Sequence, residues 1–406
     1  MIPALAWRNI WRQPVRTALS VSGMTFTSML MVFMLSFQLG TYETMKTSAL
    51  RVFDGFGQFQ PAGYADDPDI SRTIPDPAAL VAALQGVPAI TAASPRNTGY
   101  VILANGERSF AAAIIGVEPQ GERRISTLSA TVREGRYLVG EDDGAVVLGD
   151  GLVRNLKLKL GDGVTMLGSG LDGSVAADVL TLVGIFHSGV PEIDRQVAQM
   201  PLARFQEAFF MEDAVNTVAI TGDRLADIVA AEPELRSIAE QNGVVYRNWG
   251  ELQPAVKQAI TLDMSTAMLW YVALIVVVVF IILNTLYMSV LERTREFGVL
   301  LAVGMRPGQI GRMIWLELIF LSLLGNAAGI ALGAVATLYF QKHGIAFSGM
   351  EDIYAQWGLP SRFFPELSAL SALSGPGVMV AVIAILGFIP YRRALGLEPV
   401  SAMAHA

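Results

Sequence analysis

The sequence contains no cysteine and only three histidines, and its charged residues amount to 16%, against the roughly 25% usual for soluble domains. Without thiols there is no disulfide scaffold, and scattered histidines leave little for a zinc or iron–sulfur site, so no metal or other cofactor is expected on this chain. The shortage of charge beside 52% hydrophobic residues excludes a disordered chain and a nucleic-acid-binding one. A Gly-x4-Gly-Lys-Ser/Thr phosphate loop is also missing from the 406 residues. Nothing here therefore predicts nucleotide hydrolysis by these residues themselves. The absence of cysteine suits an oxidising compartment as well as a reducing one.

What is present is apolar sequence in long runs. About 20 apolar residues cross a bilayer core. Met268–Val290 is such a run without a charge, and Met313–Phe340 holds one, Glu317. A third run lies between Leu367 and Tyr391, interrupted by Gly375-Pro376-Gly377. A fourth, Thr17–Thr41, is uncharged but rich in Ser, Thr and Met. A cleaved signal peptide is the competing reading of that fourth run. Its apolar stretch exceeds the ~7–15 residues of a signal core, and no small-residue cleavage site follows Gly40. Before it, Trp7 and Trp11 are four apart and Arg8, Arg12 and Arg16 step by four, an aromatic stripe beside a basic one. Such a helix suits a cytoplasmic headgroup boundary, bent or ended by Pro14.

Basic residues flank the runs unevenly. Arg8, Arg12 and Arg16 precede the first, Arg293, Arg295, Arg306 and Arg312 lie between the second and third, and Arg392 and Arg393 follow the fourth. The positive-inside rule puts these in the cytoplasm with both termini. The link holding Lys342, Glu351, Asp352, Arg362 and Glu366 then lies outside. The layout predicted is an amphipathic N-terminal helix over 1–16 and transmembrane helices over 17–41, 264–290, 313–340 and 367–391. An external α+β domain of two lobes occupies 42–263. A cytoplasmic coupling helix over 291–312, a short external loop over 341–366 and a cytoplasmic tail over 392–406 complete it.

The external block has 18 basic and 29 acidic side chains, a net of −11 that exceeds the −7 of the whole sequence. Its patterns read as short helices and strands. Pro77–Leu84 is a helix capped by Asp76, and Asn105-Gly106 turns a hairpin between Gly99–Leu103 and Arg108–Val117. Further strands are expected at Ala145–Leu148, Val164–Leu167, Val179–Phe186, Asn216–Thr221 and Val244–Tyr246, with helices at Gly151–Leu158, Pro201–Phe210 and Leu225–Gln241. No catalytic constellation stands out. Glu192 and Asp194 near His187 read as a solvated loop rather than an acid–base or metal site. Asp66, Asp67 and Asp69 share the composition of a calcium loop but lack its Gly and closing Glu.

The most specific stretch is Leu291–Ile310, LERTREFGVLLAVGMRPGQI. Alternating charges (Glu292, Arg293, Arg295, Glu296) lead into an apolar half, Phe297–Val303, which Gly304 and Pro307-Gly308 end. This reads as a short amphipathic helix on the membrane surface. It either anchors two spans or docks a soluble partner that pushes on them.

Glu292–Gly304 resembles the cytoplasmic signature E-R-x-R-E-[FI]-G-[VI]-L-x-A-[VI]-G of FtsX-like permeases, the MacB/LolC/LolE superfamily of ABC transporters. The opening Leu5–Arg12 with Pro14, Arg16 and Thr17 resembles that family's start, and Ile389–Ala394 with Glu398-Pro399-Val400 its end. Gly116–Pro119, Gly135-Arg136 and Leu156–Val164 look like its periplasmic core domain, and Val190–Asp194 like the lipoprotein-releasing branch. The resemblance covers essentially the whole chain.

It implies four transmembrane helices, a MacB-like periplasmic domain between the first and second, and a place in a bacterial inner membrane. It also implies an ATPase on a separate chain, which would hold the ATP and Mg, and a second permease copy or paralogue. Arg293, Arg295, Glu296, Phe297, Gly298, Met305, Arg306 and Pro307 would couple to the ATPase, with Phe297 filling a pocket on it. Gly325, Gly329 and Gly333, spaced by four, would form a close helix-packing face. Glu317 is expected to pair structurally with Arg312, and Met24, Met29, Met31 and Met34 to face lipid. The function implied is mechanical extraction of a lipoprotein or another amphiphile from the outer leaflet, handed to a periplasmic acceptor. Alternatives are a scaffold regulating a cell-wall hydrolase and efflux of drugs or peptides.

Overall fold

The computed structural model describes residues 2–74, 76–140, 144–346, 349 and 362–395. Pro75, most of the link carrying Glu351 and Asp352, and Glu398-Pro399-Val400 lie outside the described residues, as does the side chain of Arg393. In chain order the elements are α1 (Ile2–Ile10), α2 (Pro14–Val52), β1 (Gly57–Gln60), α3 (Pro77–Gln85), β2 (Ala92–Asn105), β3 (Arg108–Val117), α4 (Pro119–Ile125), β4 (Val132–Gly135) and β5 (Ala145–Gly149). There follow α5 (Asp150–Leu156), β6 (Gly163–Ser169), β7 (Val175–Phe186), α6 (Pro191–Gln196), β8 (Val197–Pro201), α7 (Leu202–Ala208), β9 (Thr217–Thr221), α8 (Leu225–Ala230) and α9 (Glu232–Gln241). The remainder is β10 (Val245–Arg247), α10 (Trp249–Leu252), α11 (Pro254–Glu292), α12 (Thr294–Ala302), α13 (Pro307–His343), β11 (Ile345–Ala346), β12 (Arg362–Phe363), α14 (Ala369–Leu386) and α15 (Phe388–Leu395).

The chain forms two compact units. One comprises Met1–Glu43, Ile260–Ala346 and Arg362–Ala406, the other Thr44–Ala259 and Phe347–Ser361. Among the described residues, four helices are long and apolar enough to cross a membrane: α2, α11, α13 and α14.

Two of these helices, whose residues are shared between the units, outrun the apolar runs. The α2 and α11 helices have 39 residues each, about 58 Å at 1.5 Å per residue. That is nearly twice a ~30 Å hydrocarbon core. Hydropathy marks only the lipid-embedded part, and no Gly-Pro breaker stops either helix at the boundary. The apolar spans 17–41 and 264–290 lie within these longer helices. At the N-terminus, α1 stops at Ile10 and Pro14 opens α2, where a missing N–H costs nothing. The fourth span is not broken at Gly375-Pro376-Gly377. Ser368 caps α14, which runs through Pro376 to a break at Gly387. A bilayer tolerates such a proline where neighbouring helices and serine hydroxyls reclaim the freed backbone group. Met24 and Met31 are buried rather than lipid-facing, and Met34 is exposed.

The second unit carries one ten-stranded sheet, ordered β10-β1-β9-β2-β3-β8-β5-β7-β4. The β6 strand pairs with both β2 and β7, so β2, β3, β8, β5, β7 and β6 close a ring. Alternation along these strands sends Leu103, Ile114, Val146, Val164, Met166 and Leu180 into one core. The outward face is also apolar: Tyr100 and Ile102 on β2, Leu167 on β6, and Val175 and Val179 on β7 are exposed. The other end of the sheet packs Phe56, Phe59, Val218 and Ile220 against Leu80, Leu84, Ile228 and Leu235 from α3, α8 and α9. Asp76 caps α3 by accepting from Ala79 N at 2.9 Å. The helix read as Leu225–Gln241 is two, divided at Ala231 just before Pro233. The β1, β4 and β8 strands and the helices α4 and α6 carry too little periodicity to be read in advance.

Candidate functional site

The segment between α11 and α13 is shaped by two punctuating residues. Gly304 adopts φ +103°, and the chain reverses so that Met305 N–H reaches Leu300 O at 3.0 Å. Pro307 opens α13, with the Arg306 N–H donated to Gln309 Oε1 at 3.0 Å. Between them α12 is amphipathic. Phe297 and Gly298 are buried, and Leu300, Leu301 and Met305 pack against the same apolar cluster as Phe297. Arg295, Val299, Val303 and Arg306 are exposed.

Phe297 is turned inward. At 1% exposure it belongs to one apolar cluster with Met313, Ile314 and Ile282 of this chain's own membrane unit, rather than standing out as a docking anchor would. Among the described side chains of this segment, the exposed large hydrophobic residues are Val299 and Val303, the latter 82% exposed. Their signal was present in the sequence, since 297 and 299 cannot share a face of one helix.

The charges of this segment are tied inward. Arg12 Nη1 meets Glu296 Oε2 at 3.0 Å, and Arg16 Nη1 meets Glu292 Oε2 at 3.1 Å. Arg293 donates Nη1 to both oxygens of Glu317, at 3.2 and 3.3 Å, and stands 3.5 Å from Glu296. Its guanidinium also lies over the Phe297 ring, 5.3 Å from the centroid. Arg12 and Arg16 of the basic stripe thus form a clamp on α12 and the end of α11. Exposed pairs of this kind contribute ~0–1 kcal/mol each. The half-buried Arg293–Glu317 pair fixes geometry more firmly. Glu317 does not pair with Arg312, because five residues along a helix rotate about 140° away.

Gly325, Gly329 and Gly333 face α2. A Cβ on Gly325 would lie 2.6 Å from Met24 Cβ, and one on Gly333 would lie 2.9 Å from Val32 Cβ. One on Gly329 would collide with Ser28 Cβ. Close approach lets polar groups bond across the helices: Thr25 Oγ1 donates to Gly325 O at 3.1 Å and Ser28 Oγ to Asn326 Oδ1 at 2.5 Å. Toward the other end of α2, Tyr42 OH donates to Asp263 Oδ2 at 2.6 Å and Gln38 Nε2 to the same oxygen at 3.1 Å. Tyr271 OH donates to Gln38 Oε1 at 3.2 Å. This tie between α2 and α11 escaped the sequence reading, because its members lie over 200 residues apart.

The second unit holds a buried charge network that was equally hidden. Arg96 grips Glu122 through Nε and Nη2 at 2.8 and 2.9 Å. Ser126 Oγ and Gln199 Nε2 also donate to Glu122, and the guanidinium stacks over Phe53, 4.7 Å from the centroid. Beside it Gln253 donates to Asp54 at 2.5 Å, joining the residues that follow α2 and precede α11. Burial pushes the Asp54 carboxyl up, against the lowering effects of Gln253 and Arg96.

Asp194 is not in a solvated loop. It is buried in α6, where Ser188 donates N–H and Oγ to its Oδ1. His187 Nδ1 stands 3.0 Å from Asp150 and 3.3 Å from Asp194, whereas Glu192 is exposed and apart. Asp67 and Asp69 make turn and ion-pair contacts with Arg72 and Ser71.

Comparison with known proteins agrees with this architecture. Residues 17–238 match the MacB-like periplasmic core domain, and residues 268–399 match the FtsX-like permease C-terminal model. The macrolide export ATP-binding/permease protein MacB 2 of Yersinia pestis is 25% identical over 407 residues, covering 96% of this chain and 56% of the relative. The chain therefore spans little more than half the length of such MacB proteins. The lipoprotein-releasing system transmembrane protein LolC of Neisseria meningitidis is 23% identical over 406 residues, covering 95% of this chain and 93% of LolC. The extracellular domain of the ABC-type transporter YknZ from Gram-positive bacteria is similar over 48% of this chain and 99% of that domain, with 15% identity and a TM-score of 0.36. The chain belongs to the family of the MacB-like periplasmic core domain and joins that domain to an FtsX-like permease C-terminal segment.

Proposed function

We propose that this permease couples ATP hydrolysis on a separate ATPase chain to movement of its extracytoplasmic domain, and thereby extracts a lipoprotein or another amphiphile from the outer leaflet of the bacterial inner membrane. The observation that carries the reading is the alignment over 93% of LolC, a lipoprotein-releasing protein, compared with 56% of MacB. Two features support it. The α2 and α11 helices continue without a break well beyond the length a bilayer needs. The strand ring exposes Tyr100, Ile102, Leu167, Val175 and Val179, an apolar surface suited to the lipidated part of a cargo.

In this reading both termini are cytoplasmic, a second permease copy or paralogue completes the complex, and the ATPase docks on α12. Arg295, Val299, Val303 and Arg306 meet it, while Phe297, Gly298 and Met305 hold α12 to the membrane unit. The clamp from Arg12 and Arg16 carries the load to α2, and Arg293–Glu317 carries it to α13.

The test is reconstitution of the purified complex in proteoliposomes loaded with acylated protein. ATP-dependent transfer of that protein to a soluble acceptor, with cargo photo-crosslinks at Tyr100 and Val179, is expected. ATP-dependent export of a macrolide or peptide without release of acylated protein would replace this reading with efflux. Copurification of a cell-wall hydrolase without cargo would replace it with a scaffold.

A further inference from the structure

A cavity of about 260 Å³ opens among α1, α2, α11, α12 and α13 at the charged end of the membrane unit. Its walls differ in sign. One carries Arg12 and Arg16 with the neutral donors Asn9 and Gln13. Glu296, itself bonded to Arg12, and Glu317 line it too, with Arg293 between them, for a net of one negative charge on that side. Further along the same helices the lining turns apolar, with Met24, Ile282 and Leu321.

We propose that this cavity binds a phospholipid with a primary ammonium headgroup, a phosphatidylethanolamine-type lipid, as a resident of the coupling clamp. The inference is independent of the cargo and requires only that the helices lie in a membrane. The phosphate faces the arginine wall. A guanidinium has five donor hydrogens in a planar fork. The ion pairs of Arg12 and Arg16 each engage only Nη1, leaving geometry for phosphate oxygens. The ammonium, three to four bonds beyond the phosphate, reaches the glutamate wall and donates to Glu296. The acyl chains follow the apolar lining of α2, α11 and α13. A lipid with only a negative headgroup satisfies one wall and leaves the other repelled. A choline headgroup carries the right charge but has no N–H to donate. Because the site lies inside the clamp, occupancy stiffens the contact of α1 and α2 with α12.

The full-length protein, delipidated in detergent, is titrated with phosphatidylethanolamine, phosphatidylglycerol, phosphatidylcholine and soluble phosphoethanolamine. Bound lipid is read by native mass spectrometry and thermal midpoint. Phosphatidylethanolamine should bind about tenfold more tightly than the other two lipids, a difference of ~1.4 kcal/mol. Gln13→Glu, at an exposed position that sets a carboxylate beside Arg16, should weaken it by a similar factor. Leu321→Trp, which fills the apolar end, should do the same through the acyl chains. Equal or tighter binding of phosphatidylglycerol, or equal binding by the wild type and both variants, would overturn the proposal. Phosphoethanolamine binding as tightly as the lipid would overturn the assignment to a membrane lipid. Loss of lipid binding with lipoprotein release retained, or the reverse, separates this inference from the proposed function.

Discussion

Replacing Glu122 by Gln tests the buried network of the extracytoplasmic unit. The carboxylate accepts from Arg96 Nε and Nη2, Ser126 Oγ and Gln199 Nε2, at 2.8, 2.9, 2.6 and 3.3 Å. Both ion-pair partners are almost wholly buried, with side chains 2% and 0% exposed. An amide is uncharged, keeps one acceptor oxygen and turns an NH2 toward a guanidinium, so the positive charge stays buried without a counterion at that place. Breaking one partner of a buried pair costs about 3–5 kcal/mol. For a unit of some 200 residues this corresponds to a fall in midpoint of roughly 6–20 °C. The assay is thermal unfolding of the full chain in nanodiscs, followed by hydrogen exchange in β2 and α4. Arg96→Met with Glu122→Leu should regain most of the loss, because replacing both members by apolar groups removes the unpaired charge. A shift below ~1 kcal/mol for Glu122→Gln would refute the reasoning, and would mean that Arg96 is neutralised by another acid such as Asp54.

Three further outcomes are expected. Val303→Asp should abolish stimulation of the ATPase by permease while leaving the melting profile intact, whereas Phe297→Asp should lower the melting point of the membrane unit itself; the reverse pattern would misplace the docking face. Gly329→Leu should drive α13 away from Ser28 on α2, seen as a loss of disulfide trapping between cysteines introduced at 25 and 325; unchanged trapping would refute the close packing. For Asp150, burial raises the carboxyl, but hydrogen bonds from Arg154 and His187 outweigh it and hold it below the usual range. A depressed folded value means stability present above about pH 4 and lost as the pH falls through the lower folded value. Asp150→Asn should remove that dependence, read as a flatter melting point between pH 5 and pH 3, and an unchanged slope would contradict the assignment.

The sequence made some features plain because their causes are local. The apolar runs, the Asn105-Gly106 hairpin, the Asp76 cap and the four-residue glycine step each need only neighbours along the chain. What escaped it was set by partners far away. Arg96 and Glu122 give no signal as a pair until β2 and α4 meet. Asp263 looks like an ordinary helix acid until Tyr42 and Gln38 reach it. Phe297 illustrates a different failure: its type suits a docking anchor, but the side of α12 on which it falls decides otherwise. The full lengths of α2 and α11 are not legible in hydropathy, which reports the solvent of a helix, not its end.

The closed strand ring has a mechanical consequence. Tension entering this unit through α11 reaches first α10 and then β10, which holds β1 through only three register pairs, Gln58–Arg247, Phe59–Tyr246 and Gln60–Val245. Every strand of the ring, by contrast, is flanked on both sides, so none can peel away from an edge. On that path β10 is therefore the least-held strand: it sits at the edge of the sheet with a single partner, whereas the ring behind it has no edge.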